Sequence, residues 1–370
     1  MMAPADETAA PLASALVRAG WPRRGRRTAL SNGPAPGSLI SVLDRRAFLA
    51  TLGGGLLAAP LAAGAQPAGK LWRIGYLDQG STAGSRPYVD GLRRGLRDLG
   101  WIEGRNIAVE PRFAEGKTDQ LPTLAAELVR LKVDLIVTSS TPAALAAKRA
   151  TTTIPIVIGF AADPIGSGIV ASLARPGGNI TGWTHSGLEL RAKYLELLKE
   201  AVPEATRIGV LWNPSNQAHQ PSLKGIESAA QRLKVELHLA GAQDPKELER
   251  AVSALVEKGV QALVVFPDGM FQAQTPVIIA LAARRRLPTM YGLREYAEGG
   301  GLMAYGTNLA EMHRQLSAAL VDKILRGAKP ADLPVAQPTN FELWINLKTA
   351  KALGLTIPPS LLQRADQVIE

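Results

Sequence analysis

Arg73-Ile74-Gly75-Tyr76-Leu77 and Arg207-Ile208-Gly209-Val210-Leu211 open two similar halves of this chain. Each is a short run of aliphatic and aromatic residues followed by segments with helical spacing. Further runs lie outward from them, at residues 133–138, 154–158, 261–266 and 287–291. Their nearly unbroken apolarity indicates strands covered on both faces, the pattern of βαβ units in a parallel sheet. The second copy restarts the winding, so the expected fold class is α/β, with two doubly wound parallel-sheet lobes.

The segments between the runs carry helical stripes. Val89, Leu92, Leu96 and Leu99 are spaced three, four and three apart, with Gly100 placed to end the helix. Leu309, Met312, Leu316, Leu320 and Ile324 repeat the pattern, closed by Gly327 and Pro330. Pro176-Gly177-Gly178-Asn179 breaks the helical pattern before Ile180-Thr181-Gly182-Trp183, which reads as a first crossing between the lobes. Gly299-Gly300-Gly301 before Leu302-Met303-Ala304-Tyr305 reads as the return. Glycine-rich joints of this kind suit hinges and simple turns equally.

A chain of 370 residues with 46% hydrophobic content is too long for one core and too apolar to be disordered. It has no cysteine, which excludes disulfides, thiolate metal sites and a cysteine nucleophile. The net charge of +10 overstates the basic character, because the first 65 residues hold seven Lys/Arg and three Asp/Glu, leaving 35 against 29 in the remainder. The one basic cluster, Arg23-Arg24-Gly25-Arg26-Arg27, lies outside any foldable segment. No nucleic-acid partner is expected.

Asp44-Arg45-Arg46-Ala47-Phe48-Leu49 leads into an apolar stretch ending at Ala63-Gly64-Ala65, the order of an export signal. Paired arginines before Phe-Leu, and Gly53, Gly54 and Gly55 diluting the stretch, favour the twin-arginine route over the general secretory one. The stretch falls short of the roughly 20 apolar residues of a membrane span and contains Pro60. Residues 1–65 therefore read as an upstream extension plus signal peptide, with translation expected to begin near Val42 or Leu43. The expected product is periplasmic, with no stable membrane insertion.

In doubly wound sheets, ligands bind beyond the carboxyl ends of the strands. Four such positions share a design: Thr138-Ser139-Ser140-Thr141-Pro142, Phe160-Ala161-Ala162-Asp163-Pro164, Trp212-Asn213-Pro214-Ser215 and Phe266-Pro267-Asp268-Gly269. Proline suits the first turn of a helix, which marks Thr141, Asp163 and Asn213 as N-caps. Capping and ligand contact are both compatible with these residues, since free N–H groups at a helix start also attract a carboxylate. Hydroxyls of Ser139, Ser140 and Thr141 would add donors, and Asp163 or Asp268 could hold an amine, together satisfying a zwitterion. Asp78-Gln79-Gly80-Ser81 is a further candidate loop. Phe160, Trp183, Phe271, Tyr291 and Tyr305 stand near strand ends, where aromatic rings serve either the core or a ligand face.

Motifs for chemistry are missing. His185, His219, His238 and His313 match no metal-ligand spacing, and Gly166-Ser167-Gly168 is not a dinucleotide fingerprint. There is no phosphate-binding loop and no Gly-x-Ser-x-Gly elbow. No cofactor is expected, and binding is favoured over catalysis.

The chain from about Arg73 to Glu370 resembles the ABC transporter substrate-binding family that includes tryptophan- and tyrosine-type binding proteins, related in fold to type 1 periplasmic binding proteins. The resemblance is carried by Gly91-Leu92-Arg93, by residues 99–106 (Leu-Gly-Trp-Ile-Glu-Gly-Arg-Asn), by Thr141-Pro142-Ala143-Ala144-Leu145 and by Asp163-Pro164-Ile165-Gly166. It continues through residues 173–182 (Leu-Ala-Arg-Pro-Gly-Gly-Asn-Ile-Thr-Gly), Leu211-Trp212-Asn213-Pro214, residues 328–334 and residues 341–350. It implies two lobes joined by three crossovers, a small-molecule solute, and an ABC permease and ATPase as partners. On that basis lobe 1 is expected over 70–183 and 303–330, and lobe 2 over 184–302 and 331–370. The ligand site is expected at the loops of Ser81, Ser140, Thr141, Asp163, Asn213, Asp268 and Tyr291. A periplasmic sensor feeding a membrane receptor is the competing function, and a secreted enzyme the third.

Overall fold

The computed structural model describes residues 70–185 and 188–370. The export signal, its arginine pair and the upstream extension lie outside the described residues. The first half runs β1 (Trp72–Asp78), α1 (Thr82–Asp98), β2 (Ile107–Phe113), α2 (Leu121–Arg130), β3 (Leu135–Ser139), α3 (Thr141–Ala150), β4 (Ile156–Ala162) and β5 (Ile180–His185). The second half begins with α4 (Leu188–Ala201), β6 (Arg207–Trp212), α5 (His219–Leu233), β7 (Glu236–Gly241), α6 (Leu248–Glu257) and β8 (Ala262–Val265). It continues with α7 (Gly269–Ala273), α8 (Thr275–Arg284), β9 (Thr289–Tyr291), α9 (Arg294–Glu298) and β10 (Met303–Gly306). A return helix follows, formed by α10 (Leu309–Met312), a π-turn (His313–Ser317) and α11 (Ala318–Leu325). The chain closes with β11 (Glu342–Asn346), α12 (Leu347–Leu353), α13 (Pro359–Leu362) and β12 (Gln367–Ile369).

Two sheets result. The first has the order β2-β1-β3-β4-β5 and is parallel throughout. The second has the order β12-β11-β10-β9-β8-β6-β7, and only its β10–β11 pair is antiparallel. Its segment β7-β6-β8-β9-β10 repeats the winding of the first sheet strand for strand. The paired Arg-Ile-Gly openings have a packing reason. A Cβ on Gly75 would stand 3.0 Å from Leu128 Cδ1, and one on Gly209 would stand 3.0 Å from Leu255 Cδ1. In both halves the missing side chain lets a leucine of a covering helix close onto the central strand.

Helices cover both faces of each sheet, as continuous apolar strands require. In the first lobe, Val89, Leu92 and Leu96 of α1 pack with Ile74, Tyr76 and the return helix on one face, and Ala125, Leu128 and Ala147 with Ile136 on the other. In the second, Val252, Leu255 and Leu281 cover one face, and Tyr194, Leu198 and Ile226 the other. Leu99, counted in the α1 stripe, is 39% exposed because the helix ends before it and the chain turns outward.

The crossings differ from the expected ones. Residues 180–183 are part of β5, an edge strand of the first sheet, and the chain leaves that sheet only after His185. Residues 303–306 pair with β9 and β11, so they belong to the second sheet, and the return follows Gly306. Gly299-Gly300-Gly301 is accordingly a turn inside the second lobe. The third passage also comes later than residue 331, because Val335 donates to Leu173 O and Ala336 bridges Trp183 beside β5. Backbone pairing decided all three, and glycine spacing does not report it.

Candidate functional site

The carboxyl ends of the two sheets face each other across a cavity. One compartment, about 10 Å³, is lined by Asp78, Tyr88, Ser139, Ser140, Phe160 and Leu309 from the first lobe and its return helix. Asp268, Gly269, Gln272 and Leu293 line it from the second lobe. An adjoining compartment of about 10 Å³ shares Ser140, Phe160, Asp268 and Gly269 and adds Thr141, Ala162, His185, Asn216 and Pro267. Each has room for about one water molecule, so a solute enters only when the lobes move apart. Sharing four residues, the two can serve one compact solute with an apolar end and a polar end.

Asp268 is the most elaborately held group. It is 3% exposed and caps α7, with its Oδ1 accepting from the Met270 N–H at 2.9 Å. Asn213 donates to Oδ1 at 3.0 Å and Asn216 to Oδ2 at 2.8 Å. Ser215 in turn donates its N–H and hydroxyl to Asn213 Oδ1, at 3.0 and 2.7 Å. His219 locks the loop, accepting at Nδ1 from the Asn213 N–H and placing Nε2 3.1 Å from Pro267 O. That arrangement requires the neutral ring, and burial lowers its pKa to about 4. The carboxylate keeps acceptor capacity for a further donor in the cavity.

The first lobe offers different chemistry. Ser140 caps α3, its Oγ accepting from the Ala143 N–H at 3.2 Å, with a backbone at φ 147 and ψ 159. That region is nearly reserved for glycine and costs a serine about 1–3 kcal/mol. The strain keeps Ser140 at the mouth of a helix N-terminus that faces the cavity. Asp78 lies nearby, its Oδ1 accepting from the Gly80 N–H at 2.9 Å. Burial raises its pKa to about 6.

The seven residues expected from sequence divide accordingly. Ser140, Thr141 and Asp268 line the cavity. The Thr141 hydroxyl is already engaged, donating to Ala162 O at 3.2 Å and accepting from the Ala162 N–H at 3.1 Å. Asn213 is buried behind Asp268. Ser81 caps α1 through the Gly84 N–H and does not line either compartment. Asp163, at φ 42, folds back to accept from the Gly166 N–H at 2.9 Å and also lies off both compartments. Tyr291 is buried against Tyr296, rings 4.3 Å apart, and borders a separate depression of the second lobe with Arg286 and Lys348. The N-cap assignments also shift. The cap of α3 is Ser140 rather than Thr141, and Asp163 and Asn213 hold turns because no helix begins directly after them.

Tyr88, Asn216 and Gln272 were not singled out by sequence. Tyr88 sits in the α1 stripe beside Val89, where any ring reads as core, yet its hydroxyl crosses to the second lobe and donates to Glu295 Oε1 at 3.1 Å. Asn216 extends the polar run after β6, the one signal that could have found it. The lobes also meet closely elsewhere. A Cβ on Gly269 would stand 2.6 Å from Gln79 Cβ, and one on Gly80 would stand 2.1 Å from Gln272 Oε1.

Residues 81–369 match the family model described as ABC transporter substrate binding protein. The chain belongs to the ABC transporter substrate-binding protein family. A tyrosine-binding protein of Clostridioides difficile is 31% identical over 273 residues, covering 73% of this chain and 78% of that one. Among solved structures, an ABC domain from Streptococcus pneumonia in complex with L-Trp superposes with a TM-score of 0.76 at 27% identity, covering 81% of this chain and all of that chain. The ligand-free, open structure of a substrate-binding protein with adhesive properties from Clostridium difficile gives 0.58 at 27% identity, covering 81% and 99%. The fold is that of type 1 periplasmic binding proteins. Members of this family are solute-binding proteins rather than enzymes, and are typically exported. No helix among the described residues is long and apolar enough to cross a membrane, and no cluster there could hold a metal ion.

Proposed function

We propose that this protein captures an aromatic amino acid in the cavity between its lobes and presents it to an ABC permease driven by an ATPase, after export to the periplasm. The observation that carries the reading is the pairing across one cavity of a networked carboxylate, Asp268, with a strained hydroxyl and helix start at Ser140. A carboxylate suits an ammonium, and a helix N-terminus with serine hydroxyls suits a carboxylate. Tyr88, Phe160, Leu293 and Leu309 supply the apolar walls of the first compartment.

The lobes close by rotation about the three passages of the chain. The interlobe contacts at Tyr88–Glu295, Gly269–Gln79 and Gly80–Gln272 belong to a closed arrangement, and the better superposition on the L-Trp complex than on the open, ligand-free form supports it. Relatives that bind tyrosine and tryptophan support the ligand class. Calorimetry with L-Trp and L-Tyr, combined with small-angle scattering, tests the reading. Saturable binding with recovery of unmodified ligand and a more compact bound form is expected. Turnover of the ligand, or no binding of either amino acid, would overturn it.

A further inference from the structure

Among the described residues, the charged groups lining the cavity are two acids, Asp78 and Asp268, and no lysine or arginine lines either compartment. A compensating charge is hidden behind the wall. Arg191 stands in the first turn of α4 and is completely buried. It takes part in none of the ion pairs among the described residues, and its Nε and Nη1 donate to no group. The guanidinium carbon lies 5.0 Å from the ring centroid of Phe266 and 5.1 Å from that of Tyr194, while Nη2 lies 3.3 Å from Nε2 of His185.

Each feature of this placement calls for an anion. Burying a guanidinium without a counter-charge is among the costliest choices a fold can make. The first turn of a helix is where a cation is least favoured, because unsatisfied N–H groups already make the potential positive there. Among the described side chains of α4 and the strands beneath it, no carboxylate forms an ion pair with the guanidinium. One of the groups touching the guanidinium belongs to the cavity wall. His185 lines the polar compartment, and Phe266 directly precedes Pro267 and Asp268, which line it too.

Resting on the amino-acid reading of the cavity, we infer that Arg191 is the charge that makes the protein select solutes bearing a carboxylate, acting through the wall at His185. The guanidinium donates to His185 Nε2, which keeps that nitrogen an acceptor and places the proton of the neutral ring on Nδ1. In a wall this dry, the field of a buried charge reaches several ångströms with little screening. A zwitterion then lies between Asp268, which attracts its ammonium, and Arg191 behind His185, which attracts its carboxylate. A primary amine lacking the carboxylate satisfies the first and leaves the second uncompensated. Arg191 is thus a specificity-determining positioning residue, and it need not touch the solute.

Calorimetry on the purified chain with four probes decides the matter: L-Trp, L-Tyr, and the matching amines tryptamine and tyramine. The wild type is expected to bind each amino acid about 100-fold more tightly than its amine. Arg191→Met should reduce that ratio to about fivefold by weakening the amino acids and sparing the amines, and Arg191→Lys should retain most of it. A residue that merely holds α4 in place would weaken amino acid and amine by the same factor, which would sink the inference. So would a wild type with no preference, a result that needs no variant to fold. Binding of neither class by the wild type would bring down the amino-acid reading itself, and this inference with it.

Discussion

The two lobes wind their strands in the same order yet meet the cavity with opposite chemistry. β3 and β8 hold equivalent places, and a residue just beyond each caps the next helix, Ser140 directly after β3 for α3 and Asp268 three residues after β8 for α7. The equivalent ends of β1 and β6 also differ, with Asp78 last in the first strand and Asn213 directly after the second. A doubled scaffold therefore leaves strand-end residues free to diverge, because capping tolerates serine, aspartate and asparagine alike. One lobe became rich in hydroxyl and backbone donors, the other a held carboxylate.

The sharpest way to break this comparison is to remove the carboxylate. Asp268→Asn should weaken amino-acid binding about 100- to 1,000-fold by calorimetry, since it discharges one partner of a buried pair and turns amide donors toward amides. Asp163→Asn, on a carboxylate away from the cavity, should leave affinity unchanged. Equal losses would show that the cavity has been assigned to the wrong acid.

The acid of the first lobe should reveal itself through pH. The Asp78 carboxyl is raised from 3.8 to about 6, so between those values the folded state holds a proton the unfolded state has released. Its contribution to stability is therefore present at low pH and declines as pH rises through about 4 to 6. Asp78→Asn should gain on the wild type by about 3 kcal/mol over that window in urea unfolding. His219 and His313, lowered by burial to about 4 and about 3, lose stability on acidification below their unfolded value. Both are present in wild type and variant, so the difference isolates Asp78.

Smaller effects test the capping serine and the shared scaffold. Ser140→Gly should stabilise the protein by about 1 kcal/mol by relieving its backbone, while weakening binding several-fold through the lost hydroxyl. A thermal-unfolding midpoint that fell would mean the strain is not there. Gly75→Ala and Gly209→Ala should each cost about 1–2 kcal/mol, since each Cβ would stand 3.0 Å from a leucine of the covering helix, and Gly209→Ala should cost the more because its Cβ would also stand 3.3 Å from Leu263 Cδ1. A neutral Gly75→Ala in paired denaturation curves would show that the repeat is one of topology only.

Much of this was legible in the chain itself. The strand runs, the doubled Arg-Ile-Gly opening and the α1 stripe declared an α/β protein wound twice, because burial on two faces and helical spacing are written in the order of apolar residues. Of the candidate site, Ser140, Thr141 and Asp268 could be named because they follow buried strands at the carboxyl ends of the sheets, where cavities form. The rest depended on where backbones pair and which side chains meet across the molecule. Residues 303–306 look like a joint until they are seen bonded to β9 and β11. Asp163 and Asp268 look alike until one bonds its own turn and the other gathers two asparagines from a loop more than 50 residues away. Arg191 reads as an ordinary helical arginine, and only packing shows it buried beside His185 with no ion pair among the described residues. Sequence fixes local preference, which acts over a few residues. Charge balance in a cavity is summed over distant segments, and only the folded chain performs that sum.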